Sequence, residues 1–304
     1  MNRFLIYKDL LEQIYSSDEL QINEEMKNHI YFKVGGKVDI LLNPSNSEQI
    51  IETLKICNEN NIPYYIIGNG SNILVKDGGI RGIVIKLCKV DNIEVNGNEI
   101  KAYGGALLKD ISTNALNNSL TGFEFACGIP GSVGGAVFMN AGAYNGEIKD
   151  VIKEAEVMDK DGNIFTLSKD ELELGYRASK VMKDNLIVIS ATFLLESGDE
   201  QKIEARIKDL TFKREERQPL EYPSAGSTFK RPEGHFAGKL IEDAGLKGYS
   251  IGGAAVSSKH SGFVINKGGA TAKDVLDLIK YVQDTVKDKF AVELNPEIRI
   301  IGED

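Results

Sequence analysis

The run GFEFACGIPGSVGGAVFMNAGAYNGE, residues 122–147, holds many glycines beside few charges. Such a stretch suits a main chain that must turn sharply or lie against a ligand. Gly128, Gly131, Gly134, Gly135 and Gly142 free successive N–H groups for phosphate oxygens, so a pyrophosphate cradle is one reading and a buried packing segment the other. Further along, Lys213, Arg214, Arg217, Lys230 and Arg231 gather cations within a short stretch. A small anionic ligand would need such a cluster, although a solvated helix end explains Lys213 equally well.

The whole chain has the opposite sign. With 45 acidic against 36 basic residues and a net charge of -9, it lacks the basic face of a nucleic-acid binder. At 304 residues it is long enough for two or three domains, each with its own core. No apolar run approaches a membrane span, and the amino-terminal MNRFLIYKDLLEQIYSSDEL carries acids throughout without a signal-peptide core, so a cytoplasmic protein is expected. Cys57, Cys88 and Cys127 lack paired metal spacing and sit among apolar residues, which favours reduced core thiols. His29, His235 and His260 show no metal spacing either, and no metal is expected.

The elements that must position these groups follow from periodicity. The first organised unit begins near His29 with YFKVGGKVDILL, strand-like and broken at Gly35 and Gly36. A helix follows Asn46, with Ser45 and Glu48 at capping-box spacing and Ile50, Leu54 and Cys57 on one face; Pro63 closes it before an apolar strand from Tyr64 to Ile67. The strand runs into GNGSN, superficially a dinucleotide fingerprint. That fingerprint fails, because ILVKDGGIRGIVI continues as two β-rich runs around Gly78 and Gly79, with no helix to present its N-terminus.

A second unit opens with NIEVNGNEIKAYGG, a hairpin around Asn96 and Gly97, followed by a helix from about Leu107 to Leu116. After the glycine run come a hairpin around Asp161 and Gly162 and the buried strand NLIVISATFLLES. The polar EQKIEARIKDLTFKREERQ is a helical connector. The remaining unit contains a helix with Thr271 and Asp274 at capping spacing and a stripe of Val275, Ile279, Val282 and Val286. Mixed strands and helices of this kind indicate an α+β architecture.

Taken in order, IGNGSNILVKDGGIRG, the run at 122–147, LGYRAS, SAGSTFKRP and LNPEIRIIG closely resemble the UDP-N-acetylenolpyruvoylglucosamine reductases of bacterial peptidoglycan synthesis, from about Ile30 onward. The resemblance implies a two-domain FAD-binding unit of the vanillyl-alcohol oxidase/PCMH type plus a third α+β domain for the UDP-sugar. Here these would span residues 1–90 with an N-terminal helical segment, 91–205 and 206–304. It also implies FAD held by Gly68, Asn69, Gly70, Ser71, Asn72, Gly128, Ile129, Pro130, Gly131, Ser132, Gly134, Gly135 and Ala136, with Asn140 nearby. The loop at residues 68–72 holds neither His nor Cys, and Cys127 beside Gly128 reads as packing, so the FAD should be non-covalent. The short path from LGYRAS to NLIVIS leaves no room for an inserted tyrosine-bearing lid, which places the chain in the shorter class of the family. HIYFKVGG departs from the family pattern, with Tyr31 and Phe32 where a Thr-Phe pair is common.

By position in the matching motifs, Arg177, Ser227 and Glu297 are the implied catalytic residues. The implied reaction uses NADPH to reduce UDP-N-acetylglucosamine enolpyruvate to UDP-N-acetylmuramate. Hydride addition to the enol ether leaves enolate character beside a carboxylate, which a guanidinium can hold in fork geometry and a protonated Glu297 can hydrogen-bond. Ser227 would then supply the proton, provided a neighbour such as Lys230 or Arg231 stabilises the alkoxide. Arg214, Arg217, Lys230 and Arg231 are the implied substrate-binding residues, with Tyr144 and Asn266 as weaker candidates. No obligate protein partner, membrane or nucleic acid is implied. An oxidase of the same superfamily would lack the Arg177, Ser227 and Glu297 set, and a regulatory protein with a dead site would bind UDP-sugars without consuming NADPH.

Overall fold

A four-stranded sheet runs in the order Leu20–Glu25, Lys37–Leu42, Ile80–Lys86 and Tyr64–Ile67 in the computed structural model, which describes residues 3–304. Met1 and Asn2, at the head of the acid-bearing amino-terminal segment, lie outside it. A five-stranded antiparallel sheet has the order Ile164–Ser168, Ile152–Met158, Ile187–Leu194, Glu99–Tyr103 and Ile93–Asn96. Both expected hairpins are among its strands. Asn96 and Glu99 face each other across a two-residue turn in which Gly97 has φ +59°, the left-handed backbone a tight hairpin wants.

The chain divides into two compact units, each discontinuous in sequence. The first comprises the described residues up to 22 together with 40–69 and 82–214, and the second residues 23–39, 70–81 and 215–304. In the first unit, Phe123, Phe193, Val133 and Ile111 anchor one apolar cluster, with the Phe123 and Phe193 rings edge to face at 5.0 Å. Truncating such a buried ring to alanine costs about 3–5 kcal/mol. A second cluster packs Ile50, Leu54 and Cys57 of the helix Ser47–Asn60 against Ile40, Ile83 and Ile85. Cys57 is a free thiol whose pKa burial pushes up to about 12. Cys127 is likewise free and buried, while Cys88 is only half-buried. In the second unit, the helix Ala272–Phe290 carries the expected stripe, and Thr271 and Asp274 form the expected reciprocal capping box.

Several local readings change. The helix at 47–60 is capped by Asn46, which accepts from the Gln49 amide, because the Ser45 hydroxyl donates to Glu19 at 2.8 Å instead. The strand expected from His29 begins only at Lys37, since Lys33 and Gly35 have φ of +53° and +114° and bend the chain before it. The strand Leu20–Glu25 went unread because its polar residues hide any alternation. Inside the glycine run, Val133–Phe138 forms a six-residue helix. After GNGSN the chain enters the strand Ile73–Val75, so no helix follows that loop. Among the described residues, no helix is long and apolar enough to cross a membrane.

Candidate active site

Gly68 closes the strand Tyr64–Ile67 in the first unit, and a Cβ there would lie 2.1 Å from the Ser132 hydroxyl oxygen. Ser132 is 1% exposed, and its Oγ has no hydrogen-bond partner. A buried orphan hydroxyl is costly in the folded protein, about 1–3 kcal/mol, and invites an explanation. Around it, the Asn69 amide donates to the Pro130 carbonyl at 2.9 Å, and the Val133 and Gly134 amides donate to the Ala106 and Gly104 carbonyls. A Cβ at Gly135 would meet only the Ser132 oxygen, at 3.7 Å, whereas one at Gly128 would press on Arg214 Cδ at 2.8 Å. The glycines of the run differ in what surrounds them. Gly128 and Gly142 are small because neighbours crowd them, while Gly135 leaves its backbone uncrowded beside the buried, unpaired Ser132 hydroxyl. A hydroxyl donor beside glycine-cleared backbone fits the phosphate oxygens of FAD. Cys127 lies near Thr211 Oγ1 at 3.9 Å, and burial raises its thiol pKa, as befits packing.

Arg177, half-buried in the first unit, occupies a tight turn. Gly175 and Ala178 exchange backbone hydrogen bonds of 3.0 and 3.3 Å around Tyr176 and Arg177. Arg177 has φ +53°, a left-handed conformation that a residue with a Cβ adopts only under constraint. Its guanidinium lies 5.1 Å from the Tyr176 ring centre and donates to the Asn140 carbonyl at 3.5 Å. Asn140 is wholly buried. Its amide donates to Glu147 at 2.7 Å and to the Gly175 carbonyl at 3.0 Å, and its side-chain oxygen accepts from the Lys149 amide at 2.9 Å. That leaves Asn140 no side-chain donor for FAD.

Ser227 and Glu297 both belong to the second unit and are carried by adjoining backbone. Thr228 donates its amide to the Gly262 carbonyl, while its own carbonyl accepts from the Glu297 amide at 2.8 Å. Phe229 bridges Pro296, and Lys230 donates to the Asn295 carbonyl at 2.8 Å. Gly226, at φ +75°, sets up an exposed Ser227. Asn72 braces the other side of Glu297, donating to its carbonyl at 3.2 Å and accepting from the Arg299 amide at 3.0 Å. The structure thus joins Ser227 to Glu297 through Thr228, and ties Asn72 to the same segment.

The cations and polar residues expected to bind substrate separate by environment. Arg214, in the first unit, lies along Gly128, and Lys213 pairs with Asp209 at 2.7 Å. In the second unit Arg217 is exposed, Lys230 is half-buried and the Arg231 guanidinium sits 4.0 Å over the Phe236 ring. Tyr144 donates to the Leu210 carbonyl at 3.3 Å. Asn266 is buried and stitches loops together, donating to the Phe32 and Lys33 carbonyls and accepting from the Gly268 and Ala270 amides. Of the histidines, His29 pairs with Glu24 at 2.9 Å, while burial lowers the pKa of His260. Glu147 was not singled out by the sequence; an acid closing GAYNGE beside a buried Asn was its only signal.

Comparison with known proteins fits this geometry. Residues 38–168 match the model of an FAD binding domain, and residues 218–301 match the C-terminal domain of UDP-N-acetylenolpyruvoylglucosamine reductase. The protein is an FAD-dependent oxidoreductase of α+β fold. Proteins called UDP-N-acetylenolpyruvoylglucosamine reductase from Clostridium botulinum (strain Alaska E43 / Type E3) and Clostridium perfringens (strain SM101 / Type A) are 68% and 64% identical to it, over 100% of both chains in each case. The similarity therefore extends through the amino-terminal residues, beyond the motifs. A crystal structure of the reductase from Thermus caldophilus superposes with a TM-score of 0.79 at 33% identity, covering 93% of this chain and 98% of that one. The chain belongs to the UDP-N-acetylenolpyruvoylglucosamine reductase family.

Proposed function

We propose that the protein reduces the enolpyruvyl group of UDP-N-acetylglucosamine enolpyruvate to a lactyl ether, giving UDP-N-acetylmuramate for peptidoglycan precursor synthesis, with NADPH as hydride donor. Bound FAD supplies a two-electron relay, which lets donor and acceptor react in turn. The observation that carries the cofactor assignment is the orphaned hydroxyl of buried Ser132 beside Gly68 and Gly135. Ser132 and the N–H groups of Gly131 and Gly135, together with residues 68–72, hold the phosphates.

Arg177 grips the substrate carboxylate and offsets charge that develops beside it. Glu297 hydrogen-bonds the same oxygens, and Ser227 delivers the proton that completes the new C–H bond. Arg231 is already engaged with Phe236, which leaves Lys230 as the cation that steadies the Ser227 oxygen. Arg214 and Arg217 meet phosphate groups. The tasks divide along the sequence, with residues 1–90 and 91–205 serving FAD and 206–304 serving the UDP-sugar. The protein works in the cytoplasm, without a tyrosine-bearing lid and without an obligate protein partner.

The test is the visible absorption spectrum, recorded anaerobically. The expected flavin band bleaches on adding NADPH and returns only with UDP-N-acetylglucosamine enolpyruvate. A protein that cannot be loaded with FAD, or whose reduced flavin ignores that substrate, refutes the proposal.

A further inference from the structure

We infer that Asn140 is a positioning residue for Arg177, acting through the turn that carries it rather than through FAD. The inference rests on the proposed role of Arg177 at the substrate carboxylate. Its geometric basis is that this turn is unfavourable on its own terms. Arg177 sits at φ +53°, and a residue with a Cβ leaves that basin once its surroundings stop enforcing it. A change of sign in φ would swing the guanidinium to another bearing.

Two bonds to the end of the helix Val133–Phe138 and the residues just after it tie the turn in place. Asn140 Nδ2 donates to the Gly175 carbonyl at 3.0 Å, and Ser179 Oγ donates to the Phe138 carbonyl at 2.6 Å. The Asn140 amide can point only one way. Its oxygen takes the Lys149 N–H, and its second hydrogen goes to the Glu147 carboxylate at 2.7 Å. Flipped, the oxygen would face both that carboxylate and the Gly175 carbonyl. Glu147 is fixed in turn, because its carboxylate holds the Lys149 ammonium at 2.5 Å and its amide donates to Asp150 at 2.9 Å. Asn140 thus joins the end of one helix, the start of another at Ile148 and the Arg177 turn, and its own carbonyl receives the guanidinium.

Asn140→Asp tests this, because it keeps the shape and the bond from Lys149 while losing both donated hydrogens. The readouts are the rate of flavin reduction by NADPH, the rate of reoxidation by UDP-N-acetylglucosamine enolpyruvate, and FAD affinity by fluorescence titration. A small misplacement of a binding group costs about ten- to a hundredfold in rate, so reoxidation should fall by that much while FAD affinity stays within about twofold. In an Arg177→Ala background the same substitution should change reoxidation by less than about twofold, since both changes act through one group. A full additional loss in that background, or a fall in FAD affinity, overturns the inference. Arg177→Ala alone reoxidising at the wild-type rate would instead sink the role of Arg177, and the positioning role with it. If Asn140→Asp fails to fold, Ser179→Ala reads the same coupling, with an expected loss of about threefold that vanishes without Arg177. A loss that persists in Arg177→Ala counts against it.

Discussion

The turn that carries Arg177 is tied by the side chains of Asn140 and Ser179, whereas the segments that carry Ser227 and Glu297 are held mainly by main-chain pairs, with Asn72 and Thr228 adding side-chain bonds. In the first case Asn140 and Ser179 supply bonds from outside the turn, and the backbone there is left-handed at a non-glycine residue. In the second, the Thr228, Glu297 and Lys230 amides pair with carbonyls of Gly262, Thr228 and Asn295, and only Gly226 needs a positive φ. Main-chain pairing survives almost any substitution short of proline. A turn held by side chains can be undone by changing one residue away from it.

The largest effect that could break this comparison is chemical. Ser227→Ala should leave flavin reduction by NADPH intact and slow reoxidation by the enolpyruvyl substrate by about a thousandfold, within the range for a lost proton donor. Stopped-flow absorbance separates the two half-reactions, and a variant that turns over normally would remove Ser227 from the chemistry. Next comes the strain itself. Arg177→Gly and Arg177→Ala should both lose reoxidation by about a hundredfold or more, yet the glycine variant should be about 1 kcal/mol the more stable in urea, because alanine keeps the penalty of positive φ. Equal stability would mean that the turn relaxes without cost.

Thr228→Val probes the main-chain side. Its hydroxyl accepts from the buried Val264 amide at 2.9 Å, so stability should drop by about 1–3 kcal/mol. The backbone pairs beside Ser227 remain, and kcat should fall by less than about threefold. A collapse of kcat comparable to that of Ser227→Ala would show that this segment also depends on a side chain.

The smallest effect is a pH dependence. Burial depresses the His260 pKa below its ordinary value near 6.5, with Glu242 opposing and Lys247 reinforcing the shift, and its Nδ1 accepts from the Gly262 amide at 3.1 Å. The folded protein then binds fewer protons than the unfolded chain. Stability from this group is complete above about pH 6.5 and is lost as pH falls through the lowered value. Urea midpoints should therefore decline on acidification, less steeply in His260→Gln. Identical slopes would exclude His260 as the cause.

Much of this molecule could be read before its structure. The hairpins at Asn96 and Asp161, the Thr271 capping box and the stripe on the Ala272–Phe290 helix follow local rules, and local rules are what a sequence displays. The strand Leu20–Glu25 was missed because its polarity masks the alternation, and Asn46 displaced Ser45 as cap once Glu19 claimed the serine. Arg177 was found through its motif, but its positive φ and dependence on Asn140 were not, since a contact from residue 140 to residue 175 leaves no trace in spacing. Asn72 and Asn266 were assigned binding roles through the family resemblance, and spacing gave no sign that their side-chain amides also donate to backbone carbonyls.

Asn72 and Glu297 lie 225 positions apart, yet they touch, and beside them Ile73–Val75 pairs in parallel with Arg299–Ile301. On a ribosome that interval is time. Residues 82–214 can find most of their partners while synthesis continues, whereas Ile73–Val75 must wait with unpaired backbone until Ile301 has emerged. The unit bearing Glu297 therefore assembles last, and an interruption of translation anywhere before Arg299 leaves an early strand exposed rather than merely a shorter protein.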